Sequence, residues 1–437
     1  MEVSSIITIC LLLGSISFAV FSGNTAMWLL PIFILGNNAL GFADDHFLSI
    51  PGVYNIKDIA FGALFLFALF RLWAFRKIAK NKVMVAFYGL IIFIFVQLVI
   101  SIVKYGNIEA TIVVFRKQIY YLGFLFSCII FSSVTRREFY AFIKVFFTLL
   151  FLQCIMYVLK STTGINFFGV DDFQVITTEE VEIVRNFRAF PNYIFLLIVF
   201  CTVFISNAFV RYSLLLLIFL TIFFSYTRQW LLLGIFFVVA SDFFRKALFR
   251  HRFKVLLRYF VIITMGAIIF QALFTESFDY FIERLAELQE DGLGDSSFNI
   301  RVEMVAAGID YIFSHDPFFG IGYIKRSAFS HTSNVKNFGS EMGDAAWGNL
   351  VVQYGIIGNL ILWFFIFLML REAIRFYRMC PDEKRWITIF IILSFAILPL
   401  HSMLTNILEL PSPVSYLPWA LFFVERFDYW EKEKLNG

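Results

Sequence analysis

Four arginines lie at the boundaries of apolar runs, where they could bind an anion. Arg185 and Arg188 occur in "VRNFRAFPN", Arg228 occurs in "SYTRQW", and Arg301 opens "RVEMVAAGIDYIF". A guanidinium presents a planar fork of donors that suits phosphate oxygens. At each position alone, an anchor at the membrane interface or a surface salt bridge explains the arginine equally well. Together the three stretches indicate a site for a phosphate or pyrophosphate group.

Candidate acid and base groups are concentrated between residues 315 and 344. Single carboxylates and histidines in loops are usually only solvated. The stretch "GSEMGDAAWGNLVVQYGIIGN" is more suggestive as a unit, because its acids precede a helix start, where a carboxylate is favourable. Its glycines, Gly343, Gly348, Gly355 and Gly358, are explained equally well by close helix packing. The candidates are His315, Asp316, His331, Glu341 and Asp344.

The composition identifies a membrane protein that crosses the bilayer many times. The chain has 437 residues, of which 60% are hydrophobic and 16% charged. Soluble domains average roughly 45–50% apolar and about 25% charged residues. The first apolar run, Ser4–Phe21, lacks a basic flank and a cleavage site, so we expect a retained helix and not a signal peptide. The five cysteines have no metal-like spacing, and we predict neither a disulfide nor a zinc site.

The apolar runs predict an all-α bundle of about 12–14 transmembrane helices. The first two runs and the last are the least regular. The predicted spans are approximately 4–21, 25–41, 56–75, 83–103, 117–134, 139–159, 189–208, 211–226, 228–243, 255–275, 349–370, 386–404 and 414–425.

The distribution of lysine and arginine predicts the orientation of these spans. One set of short loops holds most of the 36 basic residues, and we expect these loops in the cytoplasm. With thirteen spans the C-terminus is inside and the N-terminus outside; if one of the first two runs does not cross, both ends are inside. The basic loops are 71–82, 136–144, the position of Arg211, 245–258 and 371–385, and the tail from 426 is also basic.

Two long connections, 160–188 and 276–348, then fall on the outer side. The organisation predicted is a membrane part over 1–275, a periplasmic helical loop domain over 276–348, and a C-terminal membrane part with a short tail over 349–437. Two segments of the second loop, "SFDYFIERLAELQE" and "VEMVAAGIDYIF", have apolar residues at helical spacing, and we expect both to pack on the membrane domain. "DPFFGIGY" then reads as a turn and not as a nucleotide motif, since no strand precedes it and no Gly-Lys-Ser/Thr follows.

Taken in order, these pieces resemble the O-antigen polymerase and O-antigen ligase superfamily of bacterial envelope glycan enzymes. The matching stretches are "RNFRAFPN" before a span, "SYTRQW" at a span boundary, an arginine and helix followed by Pro-x-x-Gly-x-Gly, and "GDAAWGNLVVQYGIIGNL" ending in Tyr-Gly-x-x-Gly. The resemblance covers residues 180–370 best, whereas residues 1–160 match only as apolar spans.

The resemblance implies a fold related to the GT-C class of lipid-dependent glycosyltransferases in the bacterial inner membrane, with a periplasmic active site. It implies a donor glycan on undecaprenyl pyrophosphate, an attacking sugar hydroxyl, and no cofactor or metal. In that scheme Arg185, Arg188, Arg228 and Arg301 bind the pyrophosphate, and Asp344, or else His331 or Glu341, accepts the proton. A flippase and a chain-length-regulating co-polymerase are the implied protein partners, and no nucleic acid is expected.

The choice between polymerase and ligase depends on one short stretch. Ligases of this superfamily typically carry a His-Asn pair just before the Tyr/Leu-Gly-x-x-Gly element, whereas this chain has "GDAAWGN", with Asp344 and no histidine. "SEMGDAAWG" loosely resembles an acidic element of the polymerases, so we favour a polymerase, with a ligase as the alternative. The rivals from other classes are a transporter of lipid-linked sugar and a non-catalytic scaffold.

Overall fold

The structure is a computed structural model, and the following paragraphs concern the residues that it describes. Beyond the continuous ranges, single positions are described at 40, 191, 261, 264, 271, 306, 309, 310, 313 and 314. The continuous ranges are 3–36, 56–76, 79–163, 174–177, 182–185, 193–225, 228–245, 316–323, 346–379, 385–404 and 417–425.

The described chain is helical apart from one short hairpin. A 3-10 helix spans Thr25–Leu29, and residues 417–425 are helical as well. The strands are β1 (Gln174–Thr177) and β2 (Glu182–Arg185). The α-helices are α1 (Val3–Phe21), α2 (Leu30–Gly36), α3 (Ile56–Leu69), α4 (Leu72–Phe75), α5 (Lys82–Tyr105), α6 (Ile108–Ile119), α7 (Leu122–Ser132), α8 (Arg136–Thr163), α9 (Ile194–Phe204), α10 (Ala208–Phe223), α11 (Arg228–Arg245), α12 (Ala346–Met379) and α13 (Arg385–Leu404).

The chain divides into two compact units, each built from three separate segments. Unit 1 comprises Met1–Leu66, Val134–Gly292 and Met379–Leu393. Unit 2 comprises Phe67–Ser133, Leu293–Arg378 and Ser394–Gly437. Both units therefore combine early and late parts of the sequence.

Aromatic rings form much of the core of unit 1. The ring of Phe147 in α8 stacks on that of Phe200 in α9, with centroids 3.8 Å apart, and Trp386 of α13 packs edge-on against both. Almost every residue of α9 is buried, which fits its sequence "IFLLIVFCTVF", since a helix that is apolar on all sides belongs inside a bundle.

Three of the described helices are long and apolar enough to cross a membrane: Lys82–Tyr105, Arg136–Thr163 and Val352–Met379. Large apolar side chains such as Val103 and Phe209 are about four-fifths exposed, as expected for contact with lipid. The chain is thus a helical membrane protein. The predicted total of about 12–14 spans and their orientation stay predictions.

Several predicted spans have different bounds in the structure. In place of one span over 25–41, the 3-10 helix is followed by the seven residues of α2. The Asn24 side chain caps the 3-10 helix by accepting from Ala26 N at 2.9 Å, and it donates to Glu138 O at 2.8 Å, so the chain turns here. The predicted span 56–75 is interrupted between α3 and α4.

The predicted span 117–134 begins too early, and a helix before it was missed. The chain turns at Tyr120 and Tyr121, which separate α6 from α7. Hydropathy alone did not indicate α6, because its sequence "IEATIVVFRKQI" includes charged residues. The span 255–275 lies outside the described residues except for three single positions.

The outer loops also depart from the prediction where they are described. Loop 160–188 contains the antiparallel hairpin of β1 and β2, which pairs Gln174 with Arg185. In the segment "VEMVAAGIDYIF", Ala306 and Phe313 are exposed and Ile309 is half-buried. The prediction that the apolar face of this segment is packed is therefore wrong at Ala306 and Phe313. Val302, Val305 and the earlier segment "SFDYFIERLAELQE" lie outside the described residues.

Candidate functional site

Within unit 2, the residues of "DPFFGIGY" dock on an interruption in helix α12. We name Pro317–Tyr323 the turn segment, and the non-helical residue Gly355 of α12 the helix break. Gly355 has φ 59° and ψ −164°, so the hydrogen-bond ladder of α12 is interrupted there. The predicted turn is thus confirmed, and it has a partner that the sequence did not indicate.

The turn segment replaces the hydrogen bonds that α12 loses at the helix break. On one side, Ile321 N donates to Val352 O at 2.9 Å and Gly322 N donates to Gln353 O at 3.1 Å. On the other side, Ile356 N donates to Pro317 O at 2.9 Å and Ile357 N donates to Phe318 O at 3.1 Å. Helix ends leave such groups unpaired, and in a membrane they cannot be left so. The turn segment therefore caps both halves of α12.

Glycine is required where the two backbones approach each other. A Cβ atom at Gly355 would overlap the backbone nitrogen of Gly320, and a Cβ atom at Gly320 would overlap Val352 O. A Cβ atom at Gly358 would overlap the ring of Phe93 in α5. The close packing predicted for Gly355 and Gly358 is confirmed, and these contacts explain why Pro-x-x-Gly-x-Gly and Tyr-Gly-x-x-Gly occur in one chain.

One face of α5 holds the turn segment through polar side chains. Gln97, Ser101 and Tyr105 are spaced four residues apart, which places them on one helix face; we name them the polar stripe. Gln97 Nε2 donates to Phe319 O at 2.6 Å, and Tyr105 OH donates to Ile321 O at 2.6 Å. Ser101 Oγ accepts from Tyr323 N at 2.8 Å. The polar stripe thus satisfies backbone groups of the turn segment that would otherwise be buried unpaired.

A second buried polar group joins α6 to α12. Tyr354 OH donates to Gln118 Oε1, and Gln118 Nε2 donates to Gln353 Oε1 at 3.3 Å. Tyr354 is fully buried, and so is Tyr323 at the end of the turn segment. The Tyr323 hydroxyl donates to Ile94 O, 3.4 Å away.

Asp316 is the one predicted acid/base candidate whose side chain the structure describes. Its Oδ2 lies 3.1 Å from Lys104 Nζ at the end of α5, and both side chains are about one-third exposed. An exposed pair of this kind contributes about 0–1 kcal/mol. Asp316 is therefore a surface ion-pair residue beside the turn segment.

The structure gives only backbone positions for two of the predicted phosphate ligands. Arg185 is the last residue of β2, and Arg228 is the first residue of α11. Their convergence on one pyrophosphate stays a prediction. Outside the described residues lie Arg188, Arg301, His315, His331, Glu341 and Asp344.

The docked turn segment fixes the starting point of the connection that carries three of these candidates. His331, Glu341 and Asp344 all belong to the connection 324–345, which joins Tyr323 to Ala346. Gly322 is hydrogen-bonded to Gln353, and Ala346 lies seven residues before Gln353 on α12. At a rise of 1.5 Å per residue this is about 10 Å. The two ends of the connection therefore lie roughly 10 Å apart in unit 2.

Sequence reasoning missed the polar stripe, although it left a signal. Gln97 and Ser101 are polar residues in an otherwise apolar span, "IIFIFVQLVISIV". Polar residues inside spans are costly and tend to face partners, and their spacing of four residues indicated a single face. Hydropathy describes only the average character of the span, so by itself it does not reveal the polar stripe.

No family model matches the chain, and no curated protein matches it. Among solved structures, a chain from a peptidoglycan synthase complex, studied for its structural coordination of polymerization and crosslinking, is similar with a TM-score of 0.40 and 16% sequence identity. The match covers 78% of this chain and 97% of that chain.

Proposed function

We propose that this protein is a glycosyltransferase that joins oligosaccharide repeat units carried on undecaprenyl pyrophosphate into O-antigen, capsule or exopolysaccharide chains. The observation that supports this proposal is the docking of the turn segment on the helix break. It brings together the two glycine motifs on which the resemblance depends. It also holds both ends of the connection that carries the candidate base residues.

The proposed reaction is a displacement at the anomeric carbon of the donor. A sugar hydroxyl of the next repeat unit forms the new glycosidic bond as the bond to pyrophosphate breaks, and undecaprenyl pyrophosphate leaves with its electron pair. Asp344, or else His331 or Glu341, takes the hydroxyl proton. Arg188, Arg228 and Arg301, with Arg185 as a further ligand, stabilise the charge that develops on the pyrophosphate. The pyrophosphate bond of the donor supplies the free energy.

Deletion of the gene tests the proposal directly, with surface and lipid-linked polysaccharide separated on a gel. A product of single repeat units without a ladder supports the polymerase. Core lipid alone, with polymer accumulating on undecaprenyl pyrophosphate, supports the ligase. Unchanged profiles for lipopolysaccharide, capsule and exopolysaccharide would reject both. Extension of a defined undecaprenyl-pyrophosphate repeat unit by the purified protein identifies the reaction itself.

Arg228→Ala and Arg301→Ala are the matched tests of the pyrophosphate site. We expect each to lower chain extension by about a hundredfold or more, because preorganised charge at a developing anion is a large catalytic effect. Arg→Lys at the same positions separates charge from the guanidinium fork, and Arg136→Ala, an exposed arginine at the start of α8, is the control. A full ladder in either alanine variant removes that arginine from the site.

A transporter of lipid-linked sugar is the second candidate, because α12 is interrupted within a span. Transporters commonly use interrupted helices at their binding sites. In this chain, however, the groups freed at the helix break are bonded to the turn segment, so they do not face an open binding site. Movement of a lipid-linked sugar across liposomes without chain growth would establish the transporter and reject the polymerase.

A further inference from the structure

Gln97 is a fully buried amide within an apolar span. Its Nε2 donates to Phe319 O at 2.6 Å and to Gln353 O at 3.0 Å. Its Oε1 has no hydrogen-bond partner in the described part of the chain. A buried polar group in a span is costly, and here only the donor half of the amide is used. The contacts therefore require two N–H donors at this position.

The two acceptors of Gln97 belong to separate parts of the sequence. Phe319 lies in the turn segment, whereas Gln353 lies two residues before the helix break in α12. Gln353 O also accepts from Gly322 N, so the same carbonyl receives a side-chain donor and a backbone donor. One amide group is thus shared by the turn segment and the helix that it caps, and α5 fixes the position of both.

We infer that Gln97 is a positioning residue, which holds the turn segment against the helix break and so sets where the two ends of the connection 324–345 lie. The effect on His331, Glu341 and Asp344 rests on the proposed function. The positioning itself does not, because it concerns the hydrogen bonds that the Gln97 side chain donates to two backbone carbonyls. Gln97 contacts backbone groups of the turn segment and of α12, so it is proposed to act through the connection and not on the reacting atoms.

Two substitutions separate donation of hydrogen bonds from filling of space. Gln97→Leu keeps much of the volume but has no donor. Gln97→Glu keeps the shape, and its carboxyl can donate one hydrogen bond only while it is protonated. Burial raises the pKa of a carboxyl, so one bond is retained at low pH. As the pH rises through that pKa the proton is lost, and a carboxylate then faces two carbonyl oxygens. Ionisation of a buried carboxyl is costly anywhere in a span, so the donor role predicts a dependence on pH that exceeds that of the matched control variant.

The matched control is Gln153 of α8, another fully buried glutamine within a span, which belongs to unit 1. Gln153→Leu and Gln153→Glu make the same chemical changes within unit 1. A general weakening of the bundle by loss of a buried amide would therefore appear in both pairs of variants, whereas loss of the proposed contact appears only at position 97.

The experiment is hydrogen exchange of the full chain in nanodiscs, followed by mass spectrometry of peptides that cover residues 317–323 and 352–357. In Gln97→Leu we expect the amides of Ile321, Gly322, Ile356 and Ile357 to exchange about tenfold faster, as loss of one or two hydrogen bonds predicts. In Gln97→Glu, after correction for intrinsic rates, we expect exchange between those of the wild type and Gln97→Leu at pH 6, where one of the two bonds remains, and at least tenfold faster than the wild type at pH 9.

Unchanged exchange in Gln97→Leu would overturn the inference, and so would the same increase in the Gln153 variants. If Gln97→Leu does not fold, the Gln97→Glu protein, purified at pH 6, is compared with Gln153→Glu, and an equal dependence of exchange on pH in the two variants would overturn the inference. Chain extension is measured in the same samples, with a fall in kcat and an unchanged KM for the acceptor expected. A wild-type protein that extends no chain, together with the predicted exchange, would reject the proposed function and leave the positioning role intact.

Discussion

At the scale of single residues, Gly355, like Gly320 and Gly322, combines a positive φ with a close approach that leaves no room for a Cβ atom. Its φ of 59° is unfavourable for side chains, and its missing Cβ leaves room for Gly320. Gly106, which ends α5, has a similar φ of 63° but open space around it. Gly89 lies inside α5 with no neighbouring atom near a Cβ. The three positions therefore separate backbone strain from steric overlap.

We expect substitution by alanine to destabilise the protein in the order Gly355, Gly106, Gly89. Gly106→Ala should cost about 1–2 kcal/mol from the left-handed backbone alone. Gly89→Ala should be neutral or stabilising by up to about 1 kcal/mol, because glycine is a poor helix former. Gly355→Ala should exceed both, since the helix break and turn segment must separate. Thermal unfolding in detergent measures the order, and equal melting temperatures for Gly355→Ala and Gly106→Ala would contradict the overlap.

Asp316 tests whether closeness to the turn segment is enough for a role in chemistry. Because it is paired with Lys104 at an exposed position, we expect Asp316→Asn to change stability by less than about 1 kcal/mol and to leave chain extension nearly unchanged. Asp344→Asn, by contrast, should abolish extension if it removes the base. Rates from purified protein compare the two, and a loss in Asp316→Asn equal to that in Asp344→Asn would return Asp316 to the list of catalytic candidates.

At the scale of elements, α12 shows how one helix contacts lipid with one face and the protein core with another. Phe365 is fully buried, and its ring lies against those of Phe87, Phe124 and Trp419. The adjacent Phe364 is 56% exposed. Neighbouring residues of a helix point about 100° apart, so the same residue type meets different surroundings.

This difference predicts unequal effects of the same substitution. Phe365→Ala should destabilise the protein by about 3–5 kcal/mol, because it leaves a cavity among aromatic rings. Phe364→Ala should have a much smaller effect, since lipid replaces the lost ring. Melting temperatures of the two variants in one detergent give the comparison. Similar losses at both positions would show that Phe364 is covered in the folded protein.

At the scale of the whole molecule, α8 offers a test of the predicted orientation. Its 28 residues span about 42 Å at 1.5 Å per residue, which exceeds the roughly 30 Å hydrocarbon core of a bilayer. Arg136 and Thr163 at its two ends are exposed. The basic loop that contains Arg136 is expected inside, and the connection that follows Thr163 is expected outside.

Cysteines placed at the two ends of α8 should react with an impermeant thiol reagent from opposite sides. In a background without the five native cysteines, Thr163→Cys should be labelled in intact cells, and Arg136→Cys only after the membrane is opened. The reverse pattern would place the connection 324–345 in the cytoplasm, away from an outer-face donor, and would reject the proposed site of reaction. Labelling of both from outside would show that α8 does not span.

The hydropathy of the sequence is sufficient to predict the membrane class and most of the helices. Long apolar runs such as those of α5 and α8 indicate spans because the bilayer excludes polar groups along a fixed length. Signals of that kind are local, and they carry no information about which helices pack together. Where helices are short or charged, as in α2 and α6, hydropathy gave wrong bounds or none.

The contact between the turn segment and the helix break is evident only in the folded chain. The four backbone hydrogen bonds join residues more than thirty positions apart, and Gln97 adds contacts across more than two hundred. Backbone groups have the same chemistry in every residue, so the sequence does not encode their pairing directly. The sequence shows the glycines that make the close approach sterically possible. The folded chain shows that the approach is between the turn segment and the helix break.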